Sequence, residues 1–341
     1  MSTNQPFDLS AELEHARRAV RAAALVTRAV QADLVHASTL EKSDKSPVTV
    51  ADFASQAVVA ATLSLSGSAV RAMVGEEDAA DLRGEDATTR RGQVVQHARG
   101  VLGAELSEED VLGFIDLGGH TPPLDAGGRA SGTYWTLDPI DGTKGFLRSE
   151  QYAIALALIH DGQVVVGALG CPRLPVDMDA EDEGVLMLAA RGQGAFSEPL
   201  FRDGKRIAIR VSTVQDASEA RFCESVEAGH SDQDQSVQIA QALGITAPGL
   251  RMDSQAKYAG LARGDASIYL RLPTRKDYQE KIWDHAAGLI VVEEAGGRVT
   301  DVRGAPLDFG RGGTLAGNSG VIATNGPIHD EVLAAVMKVL G

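Results

Sequence analysis

At 341 residues, the chain is longer than one hydrophobic core usually fills, so two domains are expected; its 44% apolar and 23% charged residues give the profile of a soluble globular protein. A formal net charge of −15 with no basic stripe argues against nucleic-acid backbones and anionic membranes as partners. No apolar run of about 18 residues could span a bilayer, no basic-then-apolar leader opens the chain, and Cys171 and Cys223 read as small buried hydrophobes; together these predict a cytoplasmic protein in a reducing compartment.

Ser10 is expected to cap a first helix, in which Leu13, Ala16, Val20, Ala23, Val30 and Leu34 recur at helical spacing. KSDKSPVTVAD, from Lys42 to Asp52, reads as a loop running into a short extended piece. A helix through Ala57, Val58, Ala61 and Leu65 follows, so Asp52 falls about where that helix begins. AMVGEED, from Ala72 to Asp78, reads as a short strand ending in an acidic turn. Residues 79 to about 133 are polar and broken by Gly and Pro, and are expected to form an elaborated insertion with one or two weak helices.

The next stretch, WTLDPIDGTKGFL from Trp135 to Leu147, carries the chemistry. It begins as a buried strand end, and Pro139 forces Asp138 into an extended conformation. Asp-Pro and Asp-Gly are ordinary turn dipeptides, and Asp52 and Asp284 could each be helix N-caps alone. Yet carboxylates this close repel unless a cation sits between them. Magnesium takes oxygen ligands, commonly a few carboxylates completed by water and a substrate phosphate. The Ile140 carbonyl, between Asp138 and Asp141, is a candidate further ligand. Gly142 permits a tight turn, and the N–H groups of Gly142 and Thr143 could open a helix facing a phosphate. The Thr143 hydroxyl is placed to position a water, and Lys144 reads as a solvated lysine.

YAIALALIHDGQVVVGALGCP, from Tyr152 to Pro172, places two apolar β-rich runs around Asp161-Gly162 and predicts a hairpin. DMDAEDEG reads as a loop, and LMLAARGQGAF as another strand and turn. A boundary near residue 200 gives an α+β metal-binding domain over 1–200 and an α/β substrate domain over 201–341. The second half alternates strands and helices, as α/β layering requires, and closes on a helix through Ile328, Val332, Val336 and Val339.

PVTVADFASQA, VGEED, WTLDPIDGTKGFLRSEQYAIALALI and WDHAAGLIVVEEAGGRVTD resemble the four motifs of the lithium-sensitive, magnesium-dependent phosphatase superfamily, which includes inositol monophosphatases and fructose-1,6-bisphosphatases. GTKGFL, FCESVEAGHSD, RMDSQAKYAGLARGDASIYLRLP and KIWDHAAG are similar to its 3'(2'),5'-bisphosphate nucleotidases, which convert adenosine 3',5'-bisphosphate to AMP. The resemblance runs from about Ala19 to Asn325 and implies the layered αβαβα sandwich of the sugar phosphatases, an α/β fold. It further implies two Mg²⁺ ions: one on Glu76, Asp138 and the Ile140 carbonyl, a second on Asp138, Asp141 and Asp284, with Glu76 helping a weak third. The family's ligand is the first acid of the Glu76–Glu77 pair. Asp52 and Thr143 would orient and deprotonate the attacking water. Ser254, Lys257 and Arg271 would grip the phosphate that is not cleaved, Gly142, Thr143 and Asp284 would also touch substrate, and His230 would meet the base. The alternatives are an inositol polyphosphate 1-phosphatase or inositol monophosphatase, and a non-catalytic sensor of bisphosphate nucleotides.

Overall fold

The computed structural model describes residues 7–37, 46–176, 183–226, 233–273 and 278–341. Helix α1 (Leu9–Ala37) starts ahead of Ser10, and the cap is Asp8, whose carboxylate accepts from the Ser10 N–H at 2.9 Å. Helix α2 (Ser46–Ser66) begins well before Asp52, so the expected extended piece is helical and Asp52 sits in the second turn. Pro47 interrupts nothing there, because first-turn N–H groups have no intrahelical partner. Val50, Ala51, Phe53, Ala54 and Ala57 then bury against the core shared with α1.

Strand β1 (Met73–Gly75) leads into a segment more ordered than its polarity predicts, with helices α3 (Ala80–Arg83), α4 (Thr88–Leu102) and α5 (Glu108–Asp116). A capping box between Ser107 and Asp110 opens α5. Charged faces disguised a narrow apolar stripe: Val94, Val95, Ala98, Val111, Leu112 and Ile115 all join the core of α1 and α2. The segment then pairs with β1, the Gly75 N–H donating to the Gly118 carbonyl at 2.8 Å and the His120 N–H to that of Met73 at 3.1 Å.

Strand β2 (Thr133–Asp141) and the short helix α6 (Thr143–Leu147) precede the hairpin of β3 (Ala153–His160) and β4 (Gln163–Pro175). Asp161 and Gly162 take φ of 47° and 75°, the two-residue turn whose twist suits paired strands. With β5 (Glu183–Ala190), β6 (Gly194–Pro199) and β7 (Ile207–Ile209) these form a seven-stranded sheet in chain order, antiparallel except for β1–β2. This sheet runs past residue 200 to Ile209.

The remainder supplies β8 (Phe222–Glu224), α7 (Gln233–Ala242), β9 (Leu250–Arg251), α8 (Ala256–Arg263) and β10 (Ile268–Arg271). Helix α9 (Ala286–Glu294), β11 (Arg298–Thr300), β12 (Val321–Thr324) and α10 (His329–Leu340) complete it. Its five strands run β11-β12-β10-β8-β9.

Strand alternation makes the layers. Leu156 and Leu158 of β3 face α1 and α2, while Ala155, Ala157 and Ile159 face α8 and α9. Small residues let α9 approach closely: a Cβ at Gly167 would stand 2.4 Å from Ile290. Tyr269, Val321 and Ala323 of the second sheet bury into that same middle core, and Ile268, Leu270 and Ile322 face α7 and α10. The order is therefore helix, sheet, helix, sheet, helix, the expected αβαβα sandwich. Cys171 and Cys223 are free and buried, and burial raises both thiols to about 12.

Candidate active site

The register of β2 against β3 slips at the DPID sequence: Asp138 pairs with Ala155, but Asp141 pairs with Ala153. Pro139 has no N–H for the ladder, so the strand bulges there. The Ser55 hydroxyl of α2 fixes the bulge, donating to the Pro139 carbonyl at 3.0 Å. Gly142 then reverses the chain at φ 91°, and a Cβ there would meet the Ser254 Cβ at 2.8 Å. Helix α6 does start at Thr143, but it is only five residues long, so it offers N–H donors and little macrodipole.

A cleft of about 580 Å³ opens beside this bulge. Asp52 from α2, Glu76 after β1, Asp138, Ile140 and Asp141 from β2, Gly142 and Thr143 from the turn into α6, and Asp284 ahead of α9 all line it. Ser254, Lys257 and Arg271 line it too, from the turn before α8, from α8 and from the end of β10. Eleven of the twelve residues singled out in the sequence thus share one cleft, and the twelfth, His230, lies outside the described residues. Glu77 lines a neighbouring hollow with Asp81 instead. Lys144 borders the cleft while staying exposed.

The acids press on one another. Burial, then the charges of Glu76, Asp141, Asp284 and Asp52, hold the Asp138 carboxyl well above the usual range. Asp52 is raised in the same way by burial, Glu77 and Glu76. Glu76 rises to about 7 from the protein packed around it and from Glu77, Asp284 and Asp141. Its side chain keeps contact with solvent, so screening reduces what that shift is worth. Burial also lifts Asp284, with Arg271 and His285 pulling the other way. On the cationic side, burial lowers Lys257, whose ammonium lies 5.4 Å from the Tyr269 ring centroid.

This donor set fits a hard divalent cation. Asp138 is almost fully buried, and its Oδ1 has no hydrogen-bond partner, a costly arrangement that a cation would relieve. Every candidate ligand is an oxygen. Among the described residues, one group brings three donor atoms within 4.8 Å: Glu280, Asp284 and His285. Arg271 already serves it, at 2.9 Å from Glu280 and 3.7 Å from Asp284. Against the upward push of burial, His285 and Arg271 hold Glu280 down to about 2. That group is an ion-pair network that sets Asp284, with His285 anchored 2.8 Å from the Tyr258 hydroxyl.

Sequence reasoning missed two buried glutamines. The Gln255 N–H donates to the Asp141 carboxylate, and its side chain donates to the Trp283 carbonyl at 2.9 Å, tying the β2 acid to the segment that carries Asp284. Gln56, one turn after Asp52 on α2, holds the Glu77 backbone through both ends of its amide. Its spacing from Asp52 was the only signal available. Ser254 sits between Asp253 and Gln255 at φ 64°, a left-handed conformation of the kind that collects at functional sites.

Carboxylates crowded beside an arginine, a lysine and a serine, in an αβαβα sandwich, define a cation-assisted site for phosphorylated small molecules. The chain belongs to the inositol monophosphatase family: that family's sequence profile matches residues 8–339. It is 46% identical to proteins named 3'(2'),5'-bisphosphate nucleotidase from Emericella nidulans, over 95% of this chain and 97% of that one, and from Schizosaccharomyces pombe, over 98% and 97%. A protein of the same name from Oryza sativa is 44% identical over 97% of this chain and 95% of its own. Among solved structures, Mycobacterium tuberculosis SuhB superposes with a TM-score of 0.61 at 20% identity, covering 99% of both chains. The Anabaena inositol monophosphatase gives 0.59 at 22%, covering 97% of both, and at these identities the likeness is one of fold. Among the described residues, no helix is long and apolar enough to cross a membrane.

Proposed function

We propose that this protein hydrolyses the 3'-phosphate of adenosine 3',5'-bisphosphate to give AMP and phosphate, with 3'-phosphoadenylyl sulfate as a further substrate. The observation that carries this reading is the meeting of Asp52, Glu76, Asp138, Asp141 and Asp284 with Ser254, Lys257 and Arg271 in one cleft, within a chain 46% identical to relatives of that name.

Glu76, Asp138 and the Ile140 carbonyl would hold one Mg²⁺, and Asp138, Asp141 and Asp284 a second, with Glu76 contributing to a weaker third. When bound, Mg²⁺ makes water more acidic and offsets the charge of a phosphate. Asp52, kept basic by burial and by Glu77 and Glu76, is suited to take a proton from a water that the Thr143 hydroxyl orients. That water's oxygen attacks phosphorus, the bond to the ribose 3'-oxygen breaks, and the departing oxygen is protonated from solvent. N–H groups at the start of α6 would face the phosphoryl oxygens. Arg271, although paired with Glu280 and Asp284, has five N–H donors and keeps part of its fork for the phosphate that stays. Lys257 and Ser254 complete that grip, and His230 would meet the base.

Phosphate release from adenosine 3',5'-bisphosphate and from inositol 1,4-bisphosphate, each with and without Mg²⁺, tests the reading. Faster, Mg²⁺-dependent release from the nucleotide is expected. Faster release from the inositol compound would transfer the protein to the sister activity, and nucleotide binding without turnover would make it a sensor.

A further inference from the structure

Gln56 is fully buried on α2, one turn beyond Asp52 and on the same helix face. Its amide nitrogen donates to the Glu77 carbonyl at 2.7 Å and to the Ile115 carbonyl at 2.9 Å, and its oxygen accepts from the Glu77 N–H at 3.1 Å. The side chain therefore pairs with Glu77 as a neighbouring strand would, and reaches the end of α5 with the same nitrogen. Two glycines make room for it. A Cβ at Gly75 would stand 2.4 Å from the amide oxygen, and one at Gly118 would stand 2.3 Å from the amide nitrogen. Three separated stretches are thus shaped around one amide: the strand end before Glu76, the exit of α5, and the helix face that carries Asp52.

We propose that Gln56 is a positioning residue that sets the Glu76 turn against Asp52 and makes the cation affinity of the cleft depend on the helical segment ending at Gly118. The inference rests on the cation-site reading above. It follows from the amide's two-way bonding: a carboxylate could not donate to the Glu77 and Ile115 carbonyls, and an apolar side chain could neither donate nor accept. Lost partners of this kind, one step removed from ligands, typically weaken metal affinity about 10- to 100-fold.

The test uses the full chain and Mg²⁺ alone as the probe. Gln56→Met keeps the volume and removes the amide. Calorimetry should show Mg²⁺ binding weakened at least about tenfold, while KM for the nucleotide at saturating Mg²⁺ stays within about twofold. Hydrogen exchange at the Glu77 N–H should accelerate in EDTA, a readout that needs no metal. Gly118→Ala, which drives a methyl at the amide nitrogen from the α5 side, should weaken Mg²⁺ binding in the same direction. Unchanged Glu77 exchange and unchanged Mg²⁺ affinity in Gln56→Met overturn the proposal. Should that variant not fold, unchanged affinity in folded Gly118→Ala overturns it equally. A parent chain that binds no Mg²⁺ would sink the functional reading instead, leaving Glu77 exchange to judge the clamp.

Discussion

Asp138 is where charge is most tightly confined. Its carboxylate is almost fully buried, leaves Oδ1 without a partner, and is opposed by Glu76, Asp141, Asp284 and Asp52. Without a cation, ionising such a group costs free energy that asparagine avoids, because asparagine has the shape of the neutral acid. Asp138→Asn should therefore melt higher than the parent in EDTA by about 1 °C or more, as expected for roughly 1 kcal/mol in a chain of this size. Phosphate release should fall by at least about 100-fold, the trade of stability against activity that crowded sites show. Thermal melts in EDTA with a parallel assay check both, and a lower melting point would mean the carboxylate is not strained. The acids were legible because their neighbours betray them: a proline fixes the backbone before Ile140, and a glycine, a threonine and a lysine follow Asp141. Gln56 and Gln255 were not legible, since a glutamine usually reads as a surface residue and only tertiary contacts reveal a bidentate partner. Glu280 was hidden in the same way, its role depending on Arg271 arriving from β10.

Among the elements, the turn from β2 into α6 is tightly constrained. Gly142 needs φ 91° and touches the Ser254 turn, which itself sits at φ 64°. Gly142→Ala should cost about 1–2 kcal/mol from the left-handed backbone alone, and more from the approach to Ser254. Gly192, at φ 76° with open space around its Cβ position, supplies the control. Gly192→Ala should lose comparable backbone energy with unchanged kinetics, whereas Gly142→Ala should also raise KM and lower kcat. Equal kinetics in the two variants would show that the Gly142–Ser254 contact does not position the cleft. The β3–β4 hairpin could be read in advance because apolar runs and Asp-Gly state the same structure twice, once by pattern and once by turn chemistry. The start of α2 could not, because Pro47 reads as a breaker unless the helix is known to begin there. Helices α4 and α5 were expected only as one or two weak helices without bounds: their stripe is narrow, and composition averages it away against the charged faces it serves.

Across the whole molecule, the acids should make stability depend on pH and on cations together. Glu76 and Glu77 rise to about 7 from an ordinary 4.5, so each holds its proton more tightly folded than unfolded. A raised carboxyl favours the native state below the unfolded value, and that advantage is lost as pH climbs through the folded value. Histidines oppose this at lower pH. Burial lowers His329 to about 4, and His97 and His120 are also lowered by burial, so unfolding takes up protons more readily there and stability rises with pH toward 6.5. The two trends offset one another below pH 6.5; above it the histidine contribution ends while that of the carboxylates continues, opposed by Lys257, which burial lowers. In EDTA the melting temperature should therefore fall from pH 6.5 to 8.5, the more so because a net charge of −15 adds self-repulsion. Mg²⁺ should flatten or reverse that slope, since a cation that binds only the folded, ionised cluster stabilises it by mass action. NaCl at matched ionic strength separates the effects: it screens the diffuse charge but cannot bridge Asp138, Asp141 and Asp284. Melts across this range in EDTA, NaCl and MgCl₂ decide the matter, and a melting point that rises with pH in EDTA would show that the cleft acids are not crowded in solution.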